Sequence, residues 1–182
     1  AYKRYPVGGP DQTPLYAFLH LLRTNELVAE DIEQIEVSVS PSAFYTVKTN
    51  RHPSVHMETI LTLAAVYGEI TFNHIHDPIY LQDPRCAAFQ ENTRIIIIPR
   101  ANQTNPGERL EMDLTVRTRG GDVIQQDLRY PLMDPEEIQQ KFRTLVGLRL
   151  TADRTLDLER NLLNVENTES MGVLFQQLEI AS

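Results

Sequence analysis

Apolar residues recur at helical spacing from Thr13 to Thr24, where Leu15, Phe18, Leu19 and Leu22 share one face and Pro14 suits the first turn. The pattern then changes period. Ile35, Val37 and Val39 alternate with Glu36, Ser38 and Ser40, which marks a half-buried strand over 32–39. A mostly apolar stretch from Val55 to Tyr67 predicts a second helix, closed by Gly68. Short helices are expected around 72–81 and 83–90. The β-branched run Arg94 to Ile98 reads as a buried strand over 93–98, ended by Pro99. Leu110, Met112, Leu114 and Val116 alternate with polar residues, so 110–117 is expected to be a strand with one wet face. Gly120-Gly121 turns the chain into a partner strand over 123–130. Asp134-Pro135-Glu136-Glu137 is a helix start, with Asp134 as N-cap, Pro135 in the first turn and acidic side chains at the positive end of the helix dipole. Ile138, Phe142, Leu145 and Val146 carry that helix's apolar face, and two more helical stretches follow.

Strands grouped this way, with helices before, between and after them, predict an α+β domain. The expected architecture is a two-layer sandwich, a mainly antiparallel or mixed sheet with helices on one face, spanning 1–182 as a single domain. A doubly wound parallel fold is disfavoured because strict alternation of strand and helix is absent. No G-x-G-x-x-G or Walker segment appears either.

Composition narrows the class. A chain of 182 residues, 41% hydrophobic and 23% charged, can bury a real core and reads as globular rather than disordered. The one cysteine, Cys86, cannot form an internal disulfide and fits a reducing compartment. No apolar run is long enough to span a bilayer, and the first residues lack a signal-peptide stretch, so a cytoplasmic location without a membrane partner is expected. A net charge of −8, with 17 basic residues scattered among 25 acidic ones, argues against nucleic acid as a partner. An acidic chain binds an anion only by concentrating positive charge locally.

That makes Lys3 and Arg4 candidates. They precede the turn Gly8-Gly9-Pro10, where backbone N–H groups can approach a ligand, and a guanidinium can hold a carboxylate bidentately. The alternative is that they are solvated surface charges. His74-Ile75-His76-Asp77 has metal-ligand residue types, yet on a helix residues two apart diverge by about 200°, so no metal site is expected. Cys86 reads as a small apolar contact, because nothing nearby in sequence supplies a base.

Three stretches carry a resemblance to a known family. They are Lys3-Arg4-Tyr5-Pro6-Val7-Gly8-Gly9-Pro10 with its following apolar helix, Asp31-Ile32-Glu33-Gln34-Ile35-Glu36-Val37, and Leu114 through Gly120-Gly121 to Tyr130-Pro131 with Glu136-Glu137-Ile138 and Lys141-Phe142. With the 54–90 region, their order and spacing resemble the C-terminal small domain of MmgE/PrpD proteins. The family includes 2-methylcitrate dehydratase, cis-aconitate decarboxylase and iminodisuccinate epimerase. The resemblance implies a lyase or epimerase acting on small di- or tricarboxylates without metal or organic cofactor. It also implies an active site shared with an all-helical N-terminal domain, which this chain lacks, and a homodimer. A lysine of the opening motif borders the active site in the family, which favours Lys3, with Arg4, Gly8 and Gly9 beside it as substrate-binding candidates.

Two departures matter. Several family enzymes place a histidine just after the Tyr-Pro step, and Gly8 to Gln12 contains none; a tyrosine of the following apolar helix is replaced by Thr59. His52 and His56 lie near that helix, and His56 is the preferred catalytic candidate because an imidazole exchanges protons near neutral pH. Three functions stay open: the small domain of a lyase or epimerase, a non-catalytic binding or assembly domain of the same fold, and an unrelated α+β interaction module.

Overall fold

The structure is a computed structural model and describes residues 2–99, 113–126, 130–167 and 170–178. It divides into two compact units, one of residues 5–131 and one of residues 1–4 with 132–182.

The larger unit holds a four-stranded sheet of β1 (Ile32–Val39), β2 (Arg94–Pro99), β3 (Asp113–Thr118) and β4 (Val123–Gln126), in the order β2-β1-β3-β4. β1 runs parallel to β2 and antiparallel to β3, and β3 runs antiparallel to β4. The fold is therefore α+β with a mixed sheet. Expected strand positions 110–112 and 127–129 lie outside the described residues.

Alternation explains which face is buried. Ile35, Val37 and Val39 of β1 and Leu114 and Val116 of β3 lie in the core, while Asp113 and Arg117 are exposed. Ile32 is also buried, although a perfect alternation would turn it away from Ile35. The ladder to β3 shifts register between Ile32 and Gln34, and such a bulge rotates Ile32 back toward the core. Helix α1 (Gln12–Thr24) contributes Leu15, Phe18, Leu19 and Leu22, and α3 (Met57–Tyr67) contributes Met57, Ile60, Leu61 and Leu63, all in one cluster with the strand residues. α3 ends at Gly68, whose φ of 71° is the left-handed conformation that a helix stop of this kind requires. In the β3–β4 turn, Gly121 has φ 96°.

Two local differences from the sequence pattern have plain causes. A helix not anticipated, α2 (Pro41–Thr49), starts where Ser40 Oγ accepts from Ala43 N at 3.2 Å and Pro41 fills the first turn. The expected helix over 72–81 is two, α4 (Phe72–His76) and α5 (Pro78–Leu81). Pro78 has no N–H to continue the first, and Asp77 Oδ1 caps the second by accepting from Ile79 N at 3.0 Å. A further helix, α6 (Pro84–Asn92), leads into β2.

The smaller unit consists of α7 (Pro135–Val146), α8 (Ala152–Leu163) and α9 (Met171–Leu178) with the N-terminal residues. α7 begins as the sequence predicts. Asp134 Oδ1 accepts from Glu137 N at 2.8 Å, and Glu137 Oε2 accepts from Asp134 N at 3.0 Å, a reciprocal capping box. Its apolar face is less covered than expected. Phe142 and Val146 are half-buried against Leu150 and Leu158, the buried apolar cluster among the described residues of this unit, and Leu145 stays 39% exposed. Among the described residues no helix is long and apolar enough to cross a membrane.

Burial sets the expected cost of truncation. Phe18 is fully buried and Leu163 is 62% exposed. Phe18→Ala should lower unfolding free energy by about 3–5 kcal/mol, and Leu163→Ala by less than about 1 kcal/mol. Urea unfolding followed by circular dichroism measures both; equal losses would contradict the core described.

Candidate functional site

The N-terminal residues and α7 bring together Lys3, Arg4, Glu137 and Lys141. Arg4 donates from both terminal guanidinium nitrogens to the two carboxylate oxygens of Glu137, with Nη2 to Oε2 at 2.9 Å. Glu137 Oε2 also accepts from Asp134 N, so this carboxylate is shared between helix cap and guanidinium. Arg4 above all, and then the Asp134 N–H, hold the Glu137 carboxyl below its ordinary range. One turn further along α7, Lys141 Nζ donates to the Lys3 backbone carbonyl. Burial pushes the Lys141 ammonium pKa down, and the positive charge of Lys3 pushes it the same way. The two lysines line a pocket of about 210 Å³ walled by Tyr2, Met133, Ile138, Phe142 and Leu145. The Lys3 side chain is exposed to solvent. Of the sequence candidates, then, Lys3 and Arg4 meet on α7, and their environments differ: Arg4 spends its charge on Glu137, while Lys3 retains its own.

Gly8 and Gly9 belong to the larger unit. Gly8 N–H donates to Ser54 O at 2.6 Å, so this donor points into the protein. A Cβ at Gly8 would fall 2.5 Å from Asp11 Oδ2 and 3.5 Å from Ser54 O and from Val55 Cγ1, whereas nothing lies within 4 Å of one at Gly9. The loop they occupy is organised by Gln12, a residue the sequence pattern did not single out. Its Nε2 donates to Tyr5 O at 2.9 Å and Val7 O at 3.1 Å. Its Oε1 accepts from Tyr5 N and from Tyr130 Oη, each at 3.1 Å. Gln12 is 6% exposed, so these bonds replace ones to water that burial removes. A glutamine in the first turn of a helix carries no signature of such a role.

His56 is the N-cap residue of α3, half-buried, with Nδ1 2.8 Å from Thr59 Oγ1. The structure thus joins the histidine candidate to Thr59. With Nδ1 engaged by Thr59, Nε2 is the ring atom left for proton exchange. His52 is tied to Ser54 Oγ through Nδ1 at 2.8 Å. His74 and His76 have separate surroundings, as their helical placement requires. His74 stacks on Tyr67 with centroids 4.6 Å apart, and His76 lies 4.3 Å from Phe72. Among the described residues no three His, Cys, Asp or Glu side chains converge on a point. Cys86 is buried, with Sγ 3.7 Å from Tyr80 O, and burial pushes its thiol pKa up, which suppresses the thiolate. Asp83 braces the same region. It accepts from Arg85 and from Tyr67 Oη, and these two bonds hold it well below the usual carboxylate range.

A family model of the MmgE/PrpD C-terminal domain matches residues 5–164. The chain belongs to that family. No curated protein matches it significantly. Within this MmgE/PrpD C-terminal domain, the match covers Gly8, Gly9, His56, Glu137 and Lys141, and Lys3 and Arg4 stand immediately ahead of it.

The lowered Glu137 pKa has a testable consequence for this MmgE/PrpD domain. A carboxylate whose folded pKa is depressed adds stability above its unfolded value, near about 4.3, and that stability is lost as pH falls through the folded value. Glu137→Gln should therefore be less stable than the parent at pH 7, with the gap closing as the pH is lowered below about 4. Thermal melts of both proteins across this range test it; a gap that stays constant with pH would show that the ion pair is not its source.

Proposed function

We propose that this domain is the small-domain side of a cofactor-independent lyase or epimerase that acts on small di- or tricarboxylates. The observation that carries the reading is family membership together with a cationic group, Lys3 beside Lys141, in a chain of net charge −8. A polycarboxylate substrate brings several negative charges, and its reaction begins by removing a proton next to a carboxylate. Negative charge then spreads onto the carboxylate oxygens, where a fixed ammonium stabilises it more than it stabilises the ground state. Lys3 is the substrate-binding residue of the smaller unit in this reading, and Gly9, in the larger unit, has open space where a Cβ would stand. Arg4 acts through the shape of the segment, since its guanidinium is engaged by Glu137. His56, held through Nδ1 by Thr59, is the candidate for proton exchange at Nε2. The family's helical domain is the proposed partner in completing the site, in a homodimeric enzyme.

A second reading has its own support. A domain of this fold without catalytic function fits the absence of histidine from Gly8 to Gln12 and the threonine at position 59. Turnover decides between them.

The 182-residue chain by itself should show no turnover of citrate, 2-methylcitrate, cis-aconitate or iminodisuccinate above a buffer control, because it offers one wall of a two-domain cleft. Measurable turnover by this chain alone would overturn that division of labour. In the enzyme complete with its helical domain, Lys3→Ala should lower kcat/KM by about 2 kcal/mol, roughly thirtyfold, by analogy with truncating one partner of a charge pair. Its melting temperature should barely move, since exposed charges contribute about 0–1 kcal/mol to folding. Steady-state kinetics and thermal melts measure the two. Wild-type kcat/KM in Lys3→Ala would make Lys3 an ordinary surface lysine.

A further inference from the structure

Lys3, Arg4 and Lys141 meet where the N-terminal segment packs on α7, and Glu137, the carboxylate that Arg4 reaches, is already committed. Both Glu137 oxygens receive Arg4, and one also receives the Asp134 N–H. The ammonium groups of Lys3 and Lys141 form no ion pair with any described carboxylate. Each ammonium has three donors, and Lys141 directs one of them to the Lys3 carbonyl. This bond ties the backbone of Lys3 to α7, so the two side chains that line the same pocket are presented from one fixed base. We propose that Lys3 and Lys141 together form a two-ammonium seat for one substrate carboxylate, with the adjoining pocket receiving the carbon chain that carries it.

The proposal deepens the lyase reading and rests on it for the nature of the anion. The pocket of about 210 Å³ has room for a short carbon fragment. Its walls, Met133, Ile138, Phe142 and Leu145, suit methylene groups rather than further charge. Among the described residues, the titratable groups that line the pocket with Lys141 are Tyr2 and Lys3 of the N-terminal segment, with Arg4 and Glu137 paired one turn back. At neutral pH a protonated Lys141 is penalised by burial and by Lys3, as its lowered pKa records, and a bound carboxylate relieves both. Lys141 is missing from the sequence candidates because, in an amphipathic helix, it looks like any solvated lysine.

The test is calorimetric titration of citrate into the enzyme complete with its helical domain, at constant ionic strength and across pH 7 to 11. Lys141→Met should weaken citrate at least tenfold, and Lys141→Arg should keep most of the affinity. In the parent protein affinity should fall at alkaline pH as Lys141 gives up its proton, and in Lys141→Arg that fall should move to higher pH. A lysine that only props up the fold would leave the pH profile in place. Unchanged citrate affinity in a folded Lys141→Met, or an unmoved profile in Lys141→Arg, overturns the seat, as does a parent protein that binds no citrate. If Lys141→Met does not fold, the arginine variant and its profile decide alone. The two readings fail separately. Lys141-dependent citrate binding without turnover of any polycarboxylate removes the lyase reading and keeps the seat. Turnover that Lys3→Ala abolishes and Lys141→Met leaves intact removes the seat and keeps the lyase reading.

Discussion

The carboxylate of Glu137 is where helix formation and charge placement meet. As the third residue of α7 it closes the capping box on Asp134, and with the same oxygens it takes the guanidinium of Arg4. These two roles support each other. A side chain folded back onto the helix start has already lost the rotamer freedom that an exposed ion pair ordinarily costs. The Arg4 pair is therefore formed on a carboxylate that the helix has fixed in advance. Four residues on, Lys141 meets the Lys3 carbonyl, so successive turns of one helix face hold successive residues of the N-terminal segment. Arg4 is neutralised by Glu137 while neither lysine pairs with a described carboxylate, which leaves a local excess of positive charge in an acidic chain.

In the larger unit the governing constraint is different. The sheet has one apolar face, and every element is arranged so that this face meets helices. The bulge at the start of β1 keeps Ile32 in the core, and Ser38, on the polar face, is satisfied by bonding to Asp113 across the strands at 3.0 Å. Gln12 does for the Tyr5 to Gly8 loop what a ladder does for a strand: it supplies donors and an acceptor to the loop's backbone groups.

Much of this was legible in the sequence wherever a short-range rule applied. The alternation of Ile35, Val37 and Val39 and of Leu114 and Val116, the helical spacing of Leu15, Phe18, Leu19 and Leu22, the stop at Gly68 and the cap at Asp134 all depend on residues within a few positions of one another. α2 was missed although Ser40-Pro41 is a start signal, because Val47 is its one fully buried residue and no apolar stripe marks it. The split at Asp77-Pro78 follows from proline chemistry, which outweighs apolar spacing in so short a stretch. The partners of the candidate site lay beyond such rules. Arg4 and Glu137 are 133 positions apart and Lys141 and Lys3 are 138 apart, and no local pattern joins them. Gln12 was hidden for another reason, since glutamine is an ordinary surface residue unless its neighbours' backbone groups lack partners.

Gly8 has a consequence for how the chain can change. Asp11 is fully buried beside it, and any side chain at position 8 would press its first carbon against that carboxylate. A side chain at position 8 therefore requires Asp11 to move or to be replaced with it, whereas one at Gly9 meets nothing within 4 Å and can be introduced alone. Positions 8 and 11 are thus coupled, so that the effect of a substitution at one depends on the residue at the other.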